Sequence, residues 1–158
     1  VIKMRNRTGT KLRIKVPKEL KGIDKVEIGY RIIDFIQERT REGLNVYGRP
    51  WSPKNEKSAG KYTKEYAKEK GYSDPVDLED TGAMLDAIKY FKGKKGEIIV
   101  GYKKGTKQER KAEGNIIGSY GRAPNPRKAR PFLDILQKDV NKIVKDYFKE
   151  LEEEESED

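Results

Sequence analysis

Along "TKLRIKVP", residues 10 to 17, apolar Leu12, Ile14 and Val16 alternate with Lys11, Arg13 and Lys15, and Pro17 closes the run. A period of two predicts a strand with one dry face. From Ile23 to Gly43 the period changes: Val26, Tyr30, Ile33 and Ile36 with Gln37 fall on one helical face, Ile32 and Phe35 beside them. Asp24 with Glu27 three residues later has the form of a capping box, and Gly43 suits the position after the helix, so a helix over 24–42 is expected. The pattern lapses from Leu44 to Gly60, where Gly, Pro, Asn and Ser mark a loop that holds the only tryptophan, Trp51. Tyr62 and Tyr66 then share one side of a short helix ended by Gly71. A loop follows, then a helical turn at "TGAMLDAI". Two apolar-rich runs around Gly93-Lys94-Lys95-Gly96 predict a β-hairpin. "TKQERKAEGNIIGSYG" is a polar helix with Ile116 and Ile117 near its end. After Pro131 a last helix, about 133 to 152, keeps Ile135, Leu136, Val140, Ile143, Val144, Tyr147, Phe148 and Leu151 on one side.

These elements predict an α+β fold: an antiparallel sheet of three to five strands packed by a long helix in the N-terminal half and a C-terminal helix, with long extended loops. Residues 1–149 form one domain and 150–158 an acidic C-terminal tail, solvated and frayed. With 158 residues of which only 34% are hydrophobic and 40% charged, the core must be small, and long exposed segments are expected to order against neighbouring subunits.

Charge is unevenly placed. The formal net charge is +9, but "ELEEEESED" at 150–158 holds 7 of the 27 acids, which leaves residues 1–149 at +16 from 36 bases and 20 acids. A basic body binds polyanions or acidic protein surfaces, and net charge does not choose between them. With no Cys and no His, disulfides, thiolate chemistry, Cys/His zinc sites and the usual general base are excluded. No apolar run is long enough for a membrane span or a signal peptide, which points to a protein made in a cytoplasm or assembled there.

Several stretches suggest chemistry and yield to plainer readings. "KYTKEYAKEKGY" interleaves bases with aromatics as a single-strand-binding surface would, yet Tyr62 and Tyr66 can equally pack on the fold with the lysines as its rim. Trp51 between Pro50 and Pro53 is either a contact for a partner or subunit, or the pin that holds its loop. Gly93, Gly96, Gly101 and Gly105 lack the spacing of a phosphate loop, so they serve the hairpin. The acids of "DLEDTG" supply a helix N-cap, at Asp80 or Thr81, rather than a magnesium site. In "NPRKARPFL" two prolines and three bases lead directly into Phe132 and Leu133. Pro131 pushes Arg130 toward an extended conformation, and the two apolar residues anchor the helix start, so this is a fixed lead-in rather than a loose basic arm.

Three segments in order, "GRPWSP" at 48–53, "LEDTGAMLDAI" at 78–88 and "KARPFLDI" at 128–135, resemble motifs of the phage virion-morphogenesis or tail-completion proteins of Mu-like and related tailed phages. The resemblance spans residues 25 to 150. Ala87 stands where that family usually has Ser, Lys128 where it has Pro, and "GSYGR" lacks the family's histidine. The resemblance implies a virion protein without catalysis, cofactor or metal, a homo-oligomeric ring, most simply a hexamer, in the neck or at the head-proximal end of the tail. Neighbouring connector and tail tube or sheath proteins would be its partners, with DNA passing through the lumen. Partner or intersubunit contacts are then expected at Trp51, Tyr62, Tyr66, Arg127, Lys128 and Arg130, and structural anchors at Thr81, Gly82, Leu85, Pro131, Phe132 and Leu133. The other reading of the residues is a basic nucleic-acid-binding protein.

Overall fold

A computed structural model describes residues 9–51, 82–117 and 129–157. Strand β1 (Lys11–Lys15) precedes the 20-residue helix α1 (Gly22–Arg41) and the short helix α2 (Ala83–Asp86). The hairpin β2 (Lys89–Lys92) and β3 (Glu97–Gly101), helix α3 (Lys107–Ile117) and the 21-residue helix α4 (Gln137–Glu157) follow. The strands form one antiparallel sheet in the order β1-β3-β2, so the fold is α+β.

Alternation in β1 has the expected consequence. Leu12 and Ile14 lie opposite Val100 and Ile98 of the central strand, and these four are at most 1% exposed. Helix α1 covers this face with Ile28, Ile32 and Ile36, all fully buried. Each such isoleucine contributes about 1.5–3 kcal/mol relative to exposure. Gly29 lets α1 approach β2, because a Cβ there would stand 2.6 Å from the Tyr90 ring. The Lys25 ammonium, also buried, donates to the Lys94 carbonyl at 2.9 Å and so ties α1 to the hairpin turn.

The ends of α1 differ in how far they follow expectation. Gly43 at φ 79° ends the helix, its N–H donating to Thr40 and that of Leu44 to Arg39, the paired bonds of a Schellman motif. At the other end the helix begins after Lys21 with no side-chain cap, and the Asp24 carboxylate instead accepts the Tyr147 hydroxyl at 2.6 Å. The expected face is also rotated: Val26 is 37% and Tyr30 54% exposed. Apolar residues lie on both sides of this helix, and the sheet takes the side on which Gly29 permits close approach. Helix α3 is capped by Thr106, whose hydroxyl accepts the Glu109 N–H at 3.2 Å.

The last helix starts at Gln137, later than expected, and continues to Glu157. Phe132, Leu133, Asp134, Ile135 and Leu136 are all buried. The segment is not helical but a run of tight turns, the Phe132 N–H donating to the Arg130 carbonyl at 2.7 Å and the Asp134 N–H to the Phe132 carbonyl at 2.9 Å. The acidic run is no frayed end: it is the last turns of α4, and Glu150 pairs with Arg31 at 2.6 Å. Gly82, at φ 76°, occupies the N-cap of α2; Asp80 and Thr81, expected to cap it, lie outside the described residues.

The β1–β3 register gives a direct test. A Cβ on Gly101 would lie 2.3 Å from the Thr10 carbonyl oxygen and 2.8 Å from the Lys11 Cα, at a φ of 157°. Gly101→Ala should therefore cost about 1–3 kcal/mol, read as a lower urea midpoint. Gly22→Ala, with nothing within 4 Å of the added carbon, should leave the midpoint unchanged or slightly raised. Equal midpoints for the two variants would contradict this register.

Candidate functional site

The described parts of the three motif segments meet in one place. Trp51, Met84, Leu85, Ile88, Phe132 and Leu133 belong to a single buried cluster with the sheet and α1. The Tyr102 hydroxyl, buried from β3, donates to the Met84 carbonyl at 2.7 Å and holds α2 against the sheet, and its burial pushes its pKa up. The Arg130 N–H donates to the Asn115 carbonyl at 2.7 Å, which ties the lead-in to the last turn of α3.

Arg39 closes this junction. It stands in the last turn of α1, is 6% exposed, and donates from Nη2 to the Phe132 carbonyl at 2.6 Å. Burial lowers its pKa to about 10, and the carboxylates of Asp134 and Asp139 oppose that shift, so the group remains a cation at neutral pH. Its Nε and Nη1 are buried without a hydrogen-bond partner among the described residues. Asp134, fully buried, accepts the Ile135 N–H through Oδ1 at 2.8 Å. The Arg39 bond to the Phe132 carbonyl and the Asp134 bond to the Ile135 N–H thus hold the buried segment beneath the C-terminal end of α1.

Of the expected contact residues, Trp51 is corrected: it is 9% exposed and part of the core. The chain just before it forms a tight turn, the Asn45 carboxamide oxygen accepting from the Tyr47 and Arg49 N–H groups, and a bridge between Leu44 and Pro50 turns the indole inward. Gly82, Leu85, Phe132 and Leu133 are buried, as anchors should be, and Arg130 and Pro131 are half-buried. Tyr62, Tyr66, Thr81, Arg127 and Lys128 lie outside the described residues.

Two charged surfaces remain, neither anticipated from the sequence. Between α1 and α4 run two adjoining clefts of about 330 and 270 Å³ that share Phe35 and Glu38. Asp34, Glu38 and Glu42 line them from α1, and Asp139, Asp146 and Glu150 from α4, with Phe35 and Ile143 also in the lining. The Arg31 hydrogen bond holds the Glu150 carboxyl below its ordinary range, and that of Lys142 does the same for Asp146. The other surface is the outer face of the sheet, where Lys11, Arg13 and Lys15 are exposed and Lys89 shares the Gly101 register with Lys11. Lys11 lies 4.5 Å from the Phe91 ring centroid, and Arg13 pairs with Glu97 at 3.0 Å. Spacing alone could have revealed the acids: 34, 38 and 42 repeat every four residues along one helix. Nothing in the sequence pairs Arg39 with Asp134.

Comparison of the chain with family models, curated proteins and solved structures finds no match. Among the described residues no group of three or more acids could hold a metal ion, and no helix is long and apolar enough to cross a membrane.

The junction makes a quantitative demand. Arg39→Ala removes the charged donor to the buried Phe132 carbonyl and should cost about 1.5–3 kcal/mol. A urea titration reads the loss. If Arg39→Ala alone lowers stability by less than about 1 kcal/mol, which is the worth of an exposed pair, the locked segment is wrong.

Proposed function

We propose that the chain is a structural virion protein of a tailed phage that forms a homo-oligomeric ring in the neck or at the head-proximal end of the tail, with no catalysis of its own. The observation that carries this reading is the meeting of all three motif segments in one core. Residues that a nucleic-acid arm would leave free, Phe132 and Leu133 above all, are spent on holding the lead-in rigid. A lead-in fixed in this way suits assembly, because the residues that hold it need not be ordered when the subunit meets its neighbours. Partners would be further copies of the chain and the connector, tube or sheath proteins on either side, with DNA passing through the lumen of a particle assembled in the host cytoplasm.

One observation favours a second reading. Lys11, Arg13, Lys15 and Lys89 around Phe91 on an exposed sheet are what a nucleic-acid-binding face would offer. Electron microscopy of the purified protein in low salt separates the two. Rings are expected, with a solution mass several times 18.2 kDa. Monomers at every salt concentration, binding DNA with an affinity that falls steeply with salt, would select the second reading.

A further inference from the structure

We propose that copies of the chain join head to tail, the basic outer face of β1 on one copy seated in the acidic groove between α1 and α4 of the next. The inference rests on the ring reading and names its contact surfaces.

Three observations carry it. The first is charge: six carboxylates line the clefts, of which Glu150 pairs with Arg31 and Asp146 with Lys142, while Asp34, Glu38, Glu42 and Asp139 make no ion pair within 4 Å among the described residues, in a chain whose net charge is +9. Like charges facing one another across two helices repel, and an arriving basic surface relieves that repulsion. The second is spacing. Lys11, Arg13 and Lys15 point to one side of a strand and recur about every 6.7 Å. Asp34, Glu38 and Glu42 recur about every 6 Å along one helical face. Over three charges each row is about 12 to 13 Å long, so one row can meet the other charge for charge. Phe35 and Ile143 supply the apolar area between the acids that a salt-bridged rim alone lacks.

The third observation is placement. Helix α1 buries Ile28, Ile32 and Ile36 against the inner face of the sheet, so its acids face away from the sheet while the β1 cations lie on the sheet's far side. Two copies cannot satisfy both contacts mutually when the faces lie on opposite layers. The contact is therefore heterologous, the kind that closes into a ring or continues as a filament.

Charge reversal tests this in the intact chain. Asp34→Lys with Glu38→Lys reverses the groove, and Lys11→Glu with Lys15→Glu reverses the sheet. All four side chains are exposed, so folding should survive and circular dichroism should be unchanged. Sedimentation velocity in low salt should show wild-type oligomers that dissociate between about 0.05 and 0.5 M salt as the Debye length shrinks. Each reversed variant should associate at least about a hundredfold more weakly. An equimolar mixture of the two should regain the oligomer, since each then offers the other an opposite charge. A wild-type chain that stays monomeric would overturn the ring reading and this contact with it. Wild-type oligomers indifferent to both reversals would leave the ring standing and overturn the contact. Failure of the mixture to reassemble would overturn the head-to-tail pairing. A sheet-reversed variant that keeps its oligomer but loses salt-dependent affinity for DNA would assign the basic face to nucleic acid instead.

Discussion

The bond from the Arg39 guanidinium to the Phe132 carbonyl fixes the segment on which the remainder of the fold rests. A chain that is 34% hydrophobic has few residues with which to fill a core, and five of its buried residues come from one run, Phe132 to Leu136. Here the five neighbours lie on irregular backbone, and irregular backbone inside a core must find partners for its polar groups. The Asp134 N–H donates to the Phe132 carbonyl, the Ile135 N–H to the Asp134 side chain, and Arg39 to the Phe132 carbonyl. Without Arg39, the Phe132 carbonyl would lose a charged, buried donor.

That economy also shapes the surface. So little apolar surface is available that one sheet and two long helices must enclose the core between them, and charged residues cover what remains outside. Their signs are partly sorted: Lys11, Arg13, Lys15 and Lys89 lie on the outer sheet, and acids predominate in the clefts between α1 and α4. A subunit with opposite charges on opposite layers has a built-in direction. The same property that makes it poor as a symmetric partner makes it suited to a closed series of copies.

Much of the fold was legible because local pattern and tertiary need agree. The alternation of Leu12, Ile14 and Val16 and the four-residue turn after Lys92 determine the sheet, and Gly43 ends α1 where the turn chemistry says it should. The orientation of α1 was not legible, since apolar residues lie on more than one side and the deciding feature is the fit of Gly29 to Tyr90. Phe132, Leu133, Ile135 and Leu136 satisfy a helical period although their backbone makes tight turns, so periodicity misplaces the start of α4. Trp51 beside prolines has the look of an exposed anchor, and only the turn at Asn45 sends it inward. The facing acids of the groove lie about a hundred residues apart in the sequence, a distance that no local period spans.

The most direct test of the account is where two copies touch. An equal mixture of unlabelled and isotope-labelled protein, treated in low salt with a carbodiimide, forms amide bonds only between amines and carboxylates already in contact. The account predicts mixed-label peptides joining Lys11 or Lys15 to Asp34 or Glu38. Links between copies that fall elsewhere, with none joining the sheet to the groove, would contradict it.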